Sequence, residues 1–189
     1  MVDPERLFEP MRDDGWHAGP VEIVSLGPEH KEGLRACCRE DDPAWEIYPV
    51  NYAGERFDAA FAMLGTLADR HCFAVLEGGV VRGTTSYIGI APQRQSLEIG
   101  GTFMAPEARG TGLNGRVKRL LLDRAFACGI RRVVFLIDER NARSQAAVLK
   151  LGATKEGVVR AERITWTGHV RDTGLFSILA EEWAARAAR

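Results

Sequence analysis

The sequence is poor in the residues that staple or metallate a fold. Its four cysteines, Cys37, Cys38, Cys72 and Cys128, form no CxxC pair, and its four histidines, His17, His30, His71 and His169, form no HxxH or HxxxH. A disulfide framework or a metal centre is therefore not expected, and a reducing compartment fits. No apolar run approaches the roughly 20 residues that a helix needs to span a bilayer. The opening MVDPERLFEP is acidic and lacks an apolar core, so it is not expected to be a secretory signal. The expected location is cytoplasmic, away from membranes. Internal repeats and low-complexity stretches are missing too.

What is present is the make-up of one globular domain: 189 residues, 46% hydrophobic and 27% charged. The net charge of −1 is unevenly spread, with balances of −7 over residues 1–50, −1 over 51–100 and +7 over 101–189. Such asymmetry fits two solvated faces, or a C-terminal part that meets an anion and an N-terminal part that meets a cation. The basic residues are scattered and lack interleaved aromatics, so nucleic-acid binding is not expected.

Residues 1–20, rich in proline and glycine, read as an irregular lead-in to a domain over 21–189. VEIVSLG (21–27) alternates as a half-buried strand does. Residues 27–38 read as a short helix and 40–52 as an aromatic loop. Residues 54–70 read as a second helix with Phe57, Phe61, Leu64 and Leu67 on one face. Residues 72–92 form a hairpin turning at Gly78-Gly79. The strand at 96–106 is interrupted by Gly100-Gly101, which suits a bulge. An amphipathic helix over 112–129, an almost wholly apolar strand over 131–138 and a helix over 141–152 follow. Strands at 153–164 and 170–179 and a terminal helix complete the chain. The expected fold class is α/β of mixed, α+β-like character: a central mixed sheet with helices on both sides.

Residues 104–115, MAPEARGTGLNG, join a strand to a long helix. Gly110, Gly112 and Gly115 allow tight turning and expose N–H groups where the helix adds a positive dipole, a suitable seat for a diphosphate. The loop lacks the Lys and hydroxyl of a Walker motif. It matches GxGxxG literally, yet it follows a hairpin in mid-chain instead of opening a βαβ unit.

Here the sequence resembles the GNAT superfamily of N-acetyltransferases. ARGTGLN resembles that family's [RQ]-x-x-G-x-[GA] acetyl-CoA loop, with Arg109 first, Gly112 fourth and Asn114 in place of the final Gly or Ala. KRLLLDRAF (118–126), DERNARSQAAVLKLGATKEGVVR (138–160) and RDTGLFSILAEEW (171–183) resemble the ribosomal-protein, RimJ/RimL-like branch. The resemblance implies a single-domain acyl-CoA N-acyltransferase fold, with acetyl-CoA as donor substrate and no metal. It implies coenzyme A contacts from Phe103, Met104, Arg109, Gly110, Thr111, Gly112, Leu113, Asn114, Gly115 and Asn141. It also implies that the Gly100-Gly101 bulge splays its strand away from 131–138 to admit the thioester. Direct transfer to a primary amine, on a small molecule or a protein N-terminus, follows. Assembly as a homodimer is compatible with it.

Acetyl transfer needs a neutral amine, an oxyanion stabiliser and a proton for the departing thiolate. Glu98 is the candidate base, directly or through a water, and otherwise a surface carboxylate. The N–H near Met104 is the oxyanion donor in this fold. Asn141 reads as a helix N-cap as well as a coenzyme A contact. Many GNAT enzymes protonate the thiolate with a tyrosine where this chain has Val148. Ser144, one turn after Asn141, is the available hydroxyl, with water as the alternative. Asp41, Asp42 and Glu46 with Trp45, Tyr48 and Tyr52 suit a cationic acceptor. A non-catalytic acyl-CoA-binding or regulatory domain is the rival reading.

Overall fold

The computed structural model describes residues 5–7 and 16–187. Eight of the described segments pair into one sheet in the order β1-β2-β3-β4-β5-β6-β8-β7. The strands are β1 Trp16–Ala18, β2 Val21–Ser25, β3 Arg70–Glu77, β4 Val80–Ala91, β5 Ser96–Met104, β6 Arg132–Asp138, β7 Thr154–Ile164 and β8 Val170–Leu179. The helices are α1 Lys31–Cys37, α2 Phe57–Thr66, α3 Leu113–Ala127, α4 Ala142–Leu151 and α5 Ala180–Ala187. The expected mixed sheet with helices on both sides is what forms. Among the described residues no helix is long and apolar enough to cross a membrane.

Side-chain alternation decides which helix covers which face. Tyr87 of β4 donates its phenol proton to the Leu121 carbonyl of α3, 2.5 Å away. Its face of the sheet therefore carries α3, where Leu113, Val117, Leu121, Leu122 and Ala125 are buried. Trp183 of α5 donates to Asp123 of α3 at 2.6 Å, placing α5 on the same side. The opposite face carries α1 against β4 and α2 against β3. On β6, Val133, Phe135 and Ile137 are buried, whereas Arg132, Val134 and Leu136 are only half-buried. The apolar run is thus fully covered on the helix α3 side and partly open on the other.

Two departures from the expected order have local causes. Trp16–Ala18, read as part of the lead-in, pairs with β2 as a three-residue edge strand, too short to show a period. Residues 1–4 and 8–15 of that lead-in lie outside the described residues. The second helix ends at Thr66 because Leu67 is extended, and Arg70 already belongs to β3.

The feature that positions the site is the parting of β5 and β6. They pair in parallel only at Ser96–Arg132, Leu97–Val133 and Glu98–Val134. β6 stays paired to β8 along its whole length. β5 instead bulges, since Ser86 opposes Gly100 while Thr84 opposes Phe103, and Gly101 has φ +58°. The extra residue bends β5 away and leaves a wedge-shaped gap in mid-sheet.

Gly83 of β4 sits opposite Met104, where a Cβ would lie 2.1 Å from the Phe103 carbonyl oxygen. Backbone cannot retreat there without moving the bulged strand. Gly83→Ala is expected to destabilise by about 1–3 kcal/mol. Gly65→Ala, in α2 with open space around it, is expected to stabilise by about 0.5–1 kcal/mol. Urea denaturation of both variants checks the opposite signs.

Candidate active site

β5 leads through residues 105–112 into α3. Gly110 and Gly112 adopt φ +80° and +86°, and a Cβ at either would meet nothing closer than 3.7 Å. The space before the loop is open, and the glycines are required by backbone sign. Gly112 is the N-cap of α3 and offers no side chain to the first-turn N–H groups. One of these, of Leu113, reaches Thr111 Oγ1 at 3.3 Å, and that hydroxyl donates to the Ala108 carbonyl. Thr111 therefore braces the loop from within. The side chains of Leu113 and Phe103 are wholly buried, leaving only their backbones for a ligand. Asn114 Oδ1 is buried without a partner among the described residues.

Arg109, expected as a coenzyme A contact, also lines a cavity beside the loop, with its side chain engaged by the protein. Its guanidinium makes a bidentate pair with Asp42, whose side chain is 1% exposed, and its Nε donates to the Met104 carbonyl at 2.9 Å. The side chain is committed to the protein and ties the donor loop to the 40–46 loop. Burial works against the Asp42 charge, but Arg109 and the Ala44 N–H outweigh it and hold its pKa below the ordinary value.

The acidic loop is engaged with it. Asp41 is paired with Arg39 and Asp42 with Arg109, and Glu46 lies within electrostatic reach of Arg140. Trp45 stacks on Phe103 at 4.7 Å, and Tyr48 and Tyr52 pack edge-on around it. Acids and aromatics here build a cover for β5, and Asp41 and Asp42 have their charge met within the protein.

A cavity of about 320 Å³ lies between that cover and the start of α4, lined by Tyr48, Arg109, Asn141 and Arg143 among others. Asn141 Oδ1 accepts the Ser144 N–H at 3.0 Å, so its side chain caps α4 while it faces the cavity. Ser144, half-buried, follows in the same turn.

The gap itself is flanked by three groups. Ala105 donates to Arg82 across the β4–β5 ladder. Alternation then turns the N–H and C=O of Met104 the other way, into the gap. Tyr48 Oη donates to the Thr102 carbonyl at 2.6 Å, and burial pushes its pKa up to about 12. Glu98, at the last paired position, lies over Gly100; burial raises its pKa, opposed by Arg163, Arg70 and Arg171.

Sequence reasoning missed Lys118. From α3 its Nζ reaches both walls of the gap: 3.1 Å to Thr102 Oγ1 on β5 and 5.4 Å to the Phe135 ring centre on β6. Thr102 Oγ1 is 2.8 Å from Thr85 Oγ1. The residue is 6% exposed, and burial lowers its pKa to about 8, opposed by the charge of Glu98. The available signal was its place on the buried stripe with Leu122 and Ala125. The gap thus carries a carboxylate and an ammonium, each shifted towards neutrality.

Asp42→Asn removes one half of a buried pair and is expected to destabilise by about 3 kcal/mol. Since the Asp42 pKa is lowered on folding, its contribution holds above the unfolded value near 3.9 and fades as pH falls through the folded value. Thermal melts between pH 7 and 2.5 should therefore show the wild type converging on the variant only at the acid end.

The model of the acetyltransferase (GNAT) domain matches residues 21–154. A comparison with curated proteins gave no match. Among solved structures, a probable acetyltransferase of the GNAT family from Chromobacterium violaceum ATCC 12472 is 30% identical. It covers 89% of this chain and 92% of its own, with a TM-score of 0.81. A GCN5-related N-acetyltransferase from Brucella melitensis shares the fold at 24% identity, covering 90% and 80%, with a TM-score of 0.84. Spermidine N-acetyltransferase from Vibrio cholerae, solved with CoA and spermine, does so at 15% identity over 88% and 99%, with a TM-score of 0.71. With the domain matched over most of its length, the chain belongs to the GNAT acetyltransferase family.

Proposed function

We propose that this chain is a cytoplasmic, acetyl-CoA-dependent N-acetyltransferase of the RimJ/RimL-like branch, its domain over residues 21–189. It moves the acetyl group directly to a primary amine, with no acyl-enzyme. The observation that carries this reading is the gap between β5 and β6, which opens beside a glycine-turned helix N-terminus and holds Glu98 and Lys118. Family membership supports the donor, and the absence of CxxC spacing from the sequence fits the compartment.

The N–H groups from Gly110 to Gly115 hold the diphosphate of the donor at the start of α3. Asn141 and Arg143 line the path to the gap. The Met104 N–H faces the thioester oxygen as charge develops there. Glu98 takes the ammonium proton of the acceptor. The amine nitrogen then bonds to the thioester carbon, the C–S bond breaks, and the new amide nitrogen releases its surplus proton to solvent. Lys118 gives the thiolate its proton, in preference to Ser144, because its pKa near 8 matches that of a thiol.

Coenzyme A at 100 times its Kd is expected to stabilise the protein by about 2.7 kcal/mol. Gly112→Val, strained at φ +86°, should erase that shift. An acceptor screen read by thiol release then separates an enzyme from a silent acyl-CoA binder, which shows the shift and no turnover.

Turnover should follow a bell, rising as Glu98 ionises above the ordinary carboxylate range and falling as Lys118 deprotonates near pH 8. Glu98→Gln is expected to lower kcat about 100-fold and remove the acid limb. Lys118→Met should remove the basic limb. It should also raise stability at pH 7 by about 1–3 kcal/mol, because an apolar side chain replaces a buried charge. The sign follows from a folded pKa near 8 against about 10.4 unfolded: the burdened charge is present below 8 and relieved as pH rises to 10.4. Melts of the wild type at pH 7 and pH 10 against the variant check it.

A further inference from the structure

On the α1/α2 face, Arg70 of β3, Ile88 of β4 and Glu98 of β5 stand abreast in register. The Arg70 guanidinium reaches across the bulge: a Cβ on Gly101 would lie 3.0 Å from its Nη1 and 3.3 Å from Ser86 Oγ. Arg70 also lies within electrostatic reach of Glu98, Tyr52 and Cys72. It lies over the bulge that opens the gap, on the α1/α2 face.

The arginines around it are engaged. Arg109 holds Asp42, Arg140 holds Asp138, and Arg163 holds Glu162. Arg171 is buried and donates to Thr173 and to the Leu136 carbonyl. Arg70 alone of this group has no hydrogen bond or ion pair among the described residues, and its Nε is buried without an acceptor. Three guanidinium groups, Arg70, Arg163 and Arg171, act on Glu98, against one further carboxylate, Glu162. Around Glu98 the positive groups outnumber the carboxylates, and Arg70 is the one without a partner among the described residues. A polycation entering here meets repulsion. An anionic group meets a planar donor fork suited to a carboxylate. A buried unpaired donor also calls for a partner.

We propose that Arg70 is an anion subsite of the acceptor pocket and that the acceptor is a small amine bearing its own carboxylate, such as a free amino acid. Its carboxylate pairs with Arg70 while its amine faces Glu98. This rests on the acetyltransferase reading above and narrows its acceptor.

The test uses the full chain saturated with coenzyme A. Thermal shift is measured with the common amino acids, their carboxamides and spermidine, followed by thiol release from acetyl-CoA for the binders. Carboxylated amines should bind and react, and conversion to the carboxamide should lower kcat/KM about 100-fold. Arg70→Gln should cause the same loss for the acid form, mainly through KM, and leave the KM of the carboxamide unchanged, any shift of the acid limb through Glu98 being common to both. Arg70→Lys should recover part of it. An intact coenzyme A shift in both variants shows that they fold. Binding of carboxylated amines that depends on Arg70 but gives no turnover would uphold the subsite and overturn the transferase reading. The subsite is overturned if spermidine or the carboxamides do as well as the acids, if no amine binds, or if Arg70→Gln affects the KM of acids and carboxamides alike.

Discussion

The site depends on one interruption of backbone pairing. Three residue pairs hold β5 to β6, and beyond Glu98 and Val134 the strands part. The bulge at Gly101 makes this possible by taking up an extra residue against β4, so that β5 bends without losing its other neighbour. Everything with chemical potential is arranged around that wedge. Glu98 sits at its apex, the Met104 amide on its wall, and the Lys118 ammonium spans it from the helix side. An ammonium so placed touches both parted strands from the helix side.

Charge pairing across long sequence distances then closes the region. Asp42, from the acidic first 50 residues, meets Arg109, from the basic last 89, in a buried pair. Arg109 and Asp42 are 67 residues apart in sequence, and Arg116 and Glu77 are 39 apart. Through the first of these pairs, the glycine loop before α3 is clamped to the 40–46 loop. A change in either is felt by the Met104 carbonyl, which Arg109 also holds.

The sequence carried the fold to within a few residues at most element ends, because the second half is strongly periodic and glycine closes α4 at Gly152. The bulge was legible from the glycine pair alone. β1 was not, since three residues at a sheet edge show no period. Functional roles were less readable, for a physical reason. Whether Arg109 is free or paired depends on Asp42, and whether Lys118 is solvated depends on a gap between strands that begin well before and well after it. A lysine in an amphipathic helix defaults to solvent in any local reading, and an arginine before a glycine loop defaults to the ligand. Only the assembled sheet shows what each meets.

Where β5 and β6 diverge, the interior of the sheet presents edge backbone of the kind that recruits foreign strands. Two of the outward carbonyls are stoppered, Thr102 by the Tyr48 phenol and Met104 by the Arg109 guanidinium. A peptide strand seeking to extend the ladder would have to displace both plugs. A slender chain that needs only the intervening donors would not. The fold therefore carries its own safeguard against self-templated aggregation where β5 and β6 part.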